Sequence, residues 1–187
     1  FGVLTRLGLD VLIFDYRGYG LSEGSPTENG TYLDVEAAWN YLVTKLGIAP
    51  QRIIVWGRSL GGAISARTAA RHQCALAIIE SSFTSVKDLA KDLCWWVPSF
   101  ILADYAYDTR HYLKDLSVPV LVIHSIDDEI IPFQHGKNLY DSITGQKAFL
   151  EIRGSHNRGF IDSLAIYGSS VNNFINRYSG GKEAVLP

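Results

Sequence analysis

The chain has 187 residues, 47% hydrophobic and 19% charged, with a formal net charge of −2. That balance suits one globular domain with a sizeable core, and the lack of any Lys/Arg block argues against nucleic acid as a partner. There is no signal-peptide pattern and no apolar run of about 18 residues, the length a membrane-spanning helix needs.

Phe1 to Leu7 reads as the end of a helix closed by Gly8. The sequence holds no Met, so we expect a piece of a longer chain, with any anchor or targeting segment upstream of Phe1. The expected location is cytoplasmic or peripheral to a membrane. Val11 to Phe14 reads as a strand and Asp15 to Pro26 as a Gly/Ser-rich loop. A helix is expected near Thr31 to Lys45, stopped by Gly47 and Pro50. Ile53 to Trp56 is a short buried strand, followed by a helix reaching about His72. Ala75 to Glu80 is another strand, and Val86 to Leu93 a helix. Cys94 to Tyr107 is apolar and aromatic without a clear period. Asp108 to Leu116 is a short helix or turn, Val118 to His124 a strand, Gln134 to Ser142 a helix, and Ala148 to Ile152 the last strand. A single helix is expected from Asn157 to Tyr178, with a frayed tail after it. Strands alternating with helices predict an α/β fold of one domain, a mostly parallel sheet with helices on both faces.

The most informative stretch is RIIVWGRSLGGAISA, Arg52 to Ala66. A strand, then Gly57-Arg58-Ser59-Leu60-Gly61, then a run of small residues is the context of a nucleophile elbow. Gly57 and Gly61 are expected to be required because a Cβ at either would strike neighbouring backbone. The bend would lift the Ser59 hydroxyl over a helix N-terminus, whose free N–H groups suit an oxyanion.

A serine hydroxyl needs a base, and the base needs a group to orient it. In an open parallel sheet such groups lie in loops after the carboxyl ends of strands. Among five histidines, His156 follows the last strand directly. His124 reads as a buried, hydrogen-bonded residue, and His72, His111 and His135 fall on or beside helices away from the strand ends. The loop after VLVIH holds both Asp127 and Asp128, and position alone does not separate them. The order serine, aspartate, histidine is that of α/β-hydrolases. No cysteine or histidine cluster has metal-ligand spacing, so neither a metal nor a cofactor is expected. Cys74 and Cys94 leave open one bridge or two thiols in a reducing compartment.

FDYRGYGLSEG (residues 14–24), WGRSLGG (56–62), ESSFTS (80–85), PVLVIHSIDDEIIPFQHG (119–136) and GSHN (154–157) span nearly the whole chain. Together they are similar to the serine-hydrolase branch of the α/β-hydrolase superfamily. The resemblance is strongest to a small-lid group that includes protein depalmitoylases and bacterial esterases. It implies Asp128 as the acid, with Ser125 replacing the usual glycine of His-Gly-x-x-Asp. It implies an Asp15–Arg17 pair that shapes the loop beside the site. It implies the Leu60 N–H as one oxyanion donor. It also implies a His-Gly loop for the second donor, after an earlier strand that lies between the Val11–Phe14 strand and the elbow strand; both are expected upstream of Phe1. Residues 94–107 fall where such hydrolases insert a lid, and Trp95 and Trp96 then either line an acyl groove or cover the sheet.

The expected function is hydrolysis of carboxylic esters or thioesters of small-molecule or lipid-like acyl substrates, through Ser59, His156 and Asp128 and an acyl-enzyme. The alternatives are a non-catalytic binding protein or a serine peptidase of the same fold. Membrane association through an upstream segment is compatible with either, and the oligomeric state is left open.

Overall fold

Four apolar runs become neighbouring strands, and the two central ones are buried on both faces. In the computed structural model, which describes residues 2–93 and 105–179, they are β1 (Ile54–Arg58), β2 (Leu76–Glu80), β3 (Val120–Ser125) and β4 (Lys147–Ile152). They lie in that order and every pair is parallel. The helices are α1 (Gly2–Arg6), α2 (Glu28–Asn40), α3 (Leu60–Arg71), α4 (Val86–Leu93), α5 (Thr109–Lys114), α6 (Phe133–Ser142), α7 (Gly159–Asp162) and α8 (Leu164–Tyr178).

The two-residue period of a strand divides the core. Ala77, Ile79, Val120 and Val122 pack with Ala66 of α3, Leu113 of α5 and Leu139 of α6. Leu76, Ile78, Leu121 and Ile123 pack on the other face with Tyr167, Val171 and Phe174 of α8. The expected α/β architecture is present, and it brings the carboxyl ends of all four strands to one rim. No helix among the described residues is long and apolar enough to cross a membrane.

Three expectations change. Residues 11–14 are not a strand: they make no backbone hydrogen bond with the described chain. A strand is defined by a paired neighbour as well as by its own apolar sequence. Here the edge of β1 away from β2 is unpaired among the described residues, and Leu12 and Ile13 are 45% and 59% exposed. The helix expected from Thr31 starts at Glu28, because Thr27 caps it by accepting the Gly30 N–H at 3.0 Å. It continues as a wider π-helical turn over Tyr41–Lys45. The single helix expected from Asn157 is two, broken at Ser163, whose hydroxyl accepts the Arg153 N–H at 2.8 Å and donates to the Arg153 carbonyl at 3.0 Å. That side chain competes with helical continuation.

Buried histidines make the fold acid-sensitive. His124 is wholly buried. Its Nε2–H donates to the Ile131 carbonyl at 2.9 Å with Asp128 Oδ2 3.7 Å away, and its Nδ1 has no partner. His135 is 3% exposed and accepts the Thr84 N–H on Nδ1. Burial depresses the pKa of both rings below 6.5. Below that pH the unfolded chain takes up protons that the native state refuses, so stability is lost as the pH falls. Urea unfolding at pH 7.5 and 5.5 should show a lower midpoint at the acid pH. For His124 alone the slope approaches about 1.4 kcal/mol per pH unit. His124→Gln, which keeps the donor to Ile131, should flatten it; an unchanged slope would refute this account.

Candidate active site

β1 ends at Arg58, and Ser59 turns the chain with φ 55° and ψ −123° before α3 begins at Leu60. A positive φ at a residue with a Cβ costs roughly 1–3 kcal/mol and persists where its surroundings fix it. Three hydrogen bonds and two glycines do so. The Ser59 N–H continues the parallel ladder to the Glu80 carbonyl at 2.9 Å. The Ser59 carbonyl accepts the Gly62 N–H at 3.0 Å and the Ser82 hydroxyl at 2.9 Å. Gly57 lets the Gly61 carbonyl and the Ser65 hydroxyl close over it, where a Cβ would overlap both. Gly62 leaves room for Ser82, whose Cβ would stand 2.5 Å from an added Cβ.

The second required glycine is therefore Gly62. Gly61, expected to be essential, has nothing within 4 Å of its Cβ position. It points away from the packed side of the turn. The Leu60 and Gly61 amides open α3 and have no hydrogen-bond partner among the described residues. They are oriented donors beside the Ser59 side chain.

The loops after β3 and β4 meet at Asp128 and His156. The Asp128 side chain is wholly buried. Its Oδ1 accepts the Ile130 and Ile131 N–H groups at 3.0 and 2.8 Å, and its Oδ2 lies 2.8 Å from His156 Nδ1. Because a carboxylate only accepts, Nδ1 carries the proton and Nε2 keeps a free lone pair. His156 is gripped through its backbone as well. Its N–H donates to Glu129 Oε2 at 2.9 Å, and its carbonyl accepts from Arg58 Nη2 at 2.6 Å. Asp127, the other acid of that loop, faces outward and accepts the Gly154 N–H at 3.1 Å.

Asp128 and His156 are thus in direct contact. Ser59 stands at the same rim and is tied to the His156 loop through its neighbour Arg58, but its hydroxyl makes no hydrogen bond to His156. Catalytic contacts of this kind commonly tighten when substrate arrives. Trp95 and Trp96 lie outside the described residues, as does Cys94; Cys74 is a buried free thiol, its pKa pushed up to about 11 by burial. No cluster of three or more acidic, histidine or cysteine side chains suited to a metal occurs among the described residues.

The expected Asp15–Arg17 pair does not form. Arg17 pairs instead with Asp34 of α2, at 2.7 Å from Nη2 and 3.0 Å from Nε, and its backbone N–H donates to the same carboxylate. The guanidinium holds the Asp34 carboxyl below its usual range. Gly30 makes room for it: a Cβ there would stand 2.6 Å from Arg17 Cδ. Asp15 accepts the Leu21 N–H, and so closes its own loop. An open groove of about 610 Å³ between residues 12–15 and α2 is lined by Leu12, Phe14, Arg17 and Asp34, and includes neither Ser59 nor His156.

The sequence model of the alpha/beta hydrolase fold family matches residues 3–98, just over half of the chain. The chain belongs to the α/β-hydrolase fold family. This α/β-hydrolase is 33% identical over 180 residues to alpha/beta hydrolase domain-containing protein 17C of Xenopus tropicalis, covering 93% of this chain and 54% of that protein. It is 36% identical over 145 residues to human alpha/beta hydrolase domain-containing protein 17B, covering 75% and 47%. The chain therefore spans about half the length of the curated relatives it matches. An esterase from Pyrococcus furiosus superposes with a TM-score of 0.76 at 22% identity, over 95% of this chain and 74% of that one. An alpha-beta serine hydrolase homologue from Coxiella burnetii gives 0.65 at 24% identity, over 94% and 72%. At such identities the likeness shows a shared fold.

Sequence reasoning passed over two charged residues of this α/β-hydrolase. Arg58 sits inside the elbow motif, where attention goes to the glycines and the serine. Glu80 ends the apolar run ALAIIE, and a carboxylate there is itself a signal, because an uncompensated buried charge is expensive. It is 4% exposed. Its pKa stands above the usual carboxyl value: burial raises it most, and the Tyr167 and Trp56 hydrogen bonds and the charges of Arg58 and His156 offset that only in part.

Proposed function

We propose that this α/β-hydrolase is a serine hydrolase that cleaves carboxylic esters or thioesters of apolar acyl groups. The observation that carries the reading is His156 held at 2.8 Å from the buried Asp128, beside a Ser59 fixed at positive φ on the same rim. His156 Nε2 takes the Ser59 proton as Oγ attacks the acyl carbon. The Leu60 and Gly61 amides face the oxyanion, and Asp128 stabilises the imidazolium. His156 then returns the proton to the departing alkoxide or thiolate. Water, deprotonated by the same nitrogen, hydrolyses the acyl-Ser59 ester and releases the acid. The esterase neighbours and the hydrolase-domain relatives support this class of reaction. The apolar, aromatic sequence of residues 94–107 supports the acyl preference.

The test uses the full-length protein. A fluorophosphonate probe should label it, with the adduct mapped to Ser59 by peptide mass. Rates on p-nitrophenyl esters should rise from acetyl to octanoyl, and an acyl thioester should be cleaved. An absent adduct at pH 7–8 would leave the binding-protein reading in place of this one. Equal rates along the ester series would remove the apolar-groove component alone.

A further inference from the structure

We propose that Arg58 and Glu80 are positioning residues for the acyl transfer: Arg58 sets the distance between the His156 loop and Ser59, and Glu80 is the buried counter-charge that holds Arg58 in place. This rests on the serine-hydrolase reading above.

The geometry is that of a clasp. Arg58 immediately precedes Ser59. Its Nη2 reaches across the rim to the His156 carbonyl at 2.6 Å and to Asn157 Oδ1 at 2.8 Å. Among the described residues these are the hydrogen bonds that join the elbow to residues 154–157. The guanidinium also lies over the Phe160 ring at 5.7 Å. His156 is therefore placed by two separate grips. Asp128 and Glu129 fix it relative to the loop after β3, and Arg58 fixes it relative to the nucleophile. With no Ser59–His156 hydrogen bond, the arm of Arg58 is what registers base against serine. A shift of about 1 Å in such a relation is enough to cost about 100-fold in rate.

Glu80 explains why the arm stays folded inward. It is the strand partner of Arg58 in the β1–β2 ladder. Its carboxylate is 5% exposed, with Oε1 at 4.0 Å from Arg58 Nε, which has no hydrogen-bond partner of its own. Oε2 accepts the Tyr167 hydroxyl at 2.6 Å and the Trp56 Nε1–H at 3.3 Å, so the carboxylate cannot swing away. The same residue accepts the Ser59 N–H through its carbonyl at 2.9 Å. One residue thus anchors the nucleophile by its backbone and the clasp by its side chain. For stability alone a buried carboxylate facing a part-exposed guanidinium at 4.0 Å is a poor choice, since taking its charge out of water costs free energy.

The experiment measures kcat and KM on a p-nitrophenyl ester, with kcat expressed per serine titrated by the fluorophosphonate. Arg58→Ala should lower kcat per titrated serine about 100-fold, with KM within twofold of the parent. Arg58→Lys, which can still donate to the His156 carbonyl, should recover at least tenfold of that loss. Glu80→Gln should lower kcat about tenfold, and its effect should vanish in the Arg58→Ala background. An unchanged kcat per titrated serine in Arg58→Ala overturns the proposal, as do independent, multiplying losses in the double variant. Should Glu80→Gln fail to fold, the Arg58 pair decides alone, because that side chain is 32% exposed. Failure of the parent protein to label would instead overturn the hydrolase reading.

Discussion

Asp128→Asn is expected to lower kcat about 10,000-fold while leaving the protein folded. Residue 128 faces donors on one side and the His156 ring on the other. The backbone N–H groups of Ile130 and Ile131 already point at Oδ1. An asparagine must keep its carbonyl oxygen there, because the flipped amide would set NH₂ against two N–H donors. Donor against donor would forfeit both hydrogen bonds, each worth about 0.5–1.5 kcal/mol. The amide nitrogen is therefore forced toward His156 Nδ1, which stands 2.8 Å from the native Oδ2. Facing a donor, Nδ1 must accept, and the ring proton moves to Nε2. That tautomer has no lone pair for the Ser59 proton. The loss corresponds to about 5.4 kcal/mol of transition-state stabilisation. Ester hydrolysis measures it, and circular dichroism checks the fold. A loss below tenfold in a folded variant would remove His156 and Asp128 from the mechanism.

The fold was legible where burial acts on both faces of a short segment. ALAIIE and VPVLVIH read as strands because neither face of β2 or β3 meets water. Residues 11–14 carry the same kind of sequence and fail, because a strand needs a neighbour and none of the described residues supplies one. The helix boundaries moved where single side chains decide them, Thr27 at one start and Ser163 at one break. In the site, the elbow was legible because strand, turn and helix are contiguous. Contacts across sequence distance were not. Arg17 finds its partner at Asp34, 17 residues on, rather than two residues back. Arg58 finds His156 at a separation of 98 residues. No local pattern encodes either pairing; the topology does, by bringing every loop that follows a strand to one rim.

Gly57→Ala is expected to destabilise the protein by about 3 kcal/mol and to abolish labelling of Ser59, whereas Gly61→Ala should do neither. Both glycines belong to the G-x-S-x-G motif, so a motif-based view predicts equal damage. The packing predicts otherwise. A Cβ at residue 57 would overlap the Gly61 carbonyl and the Ser65 hydroxyl. Relief requires α3 to lift from β1 and β2, yet Ala63 and Ala66 of that helix are fully buried and Ala69 nearly so. Interiors packed this closely do not yield without loss elsewhere. Lifting α3 also takes the Leu60 and Gly61 amides away from Ser59 and releases the positive φ that presents the hydroxyl. At residue 61 an added Cβ meets nothing within 4 Å, and alanine is favoured over glycine in a helix by roughly 0.5–1 kcal/mol. Urea unfolding and fluorophosphonate labelling of the two variants separate these outcomes. Equal destabilisation would show that the turn, and not the seat of α3 on the sheet, sets the glycine requirement.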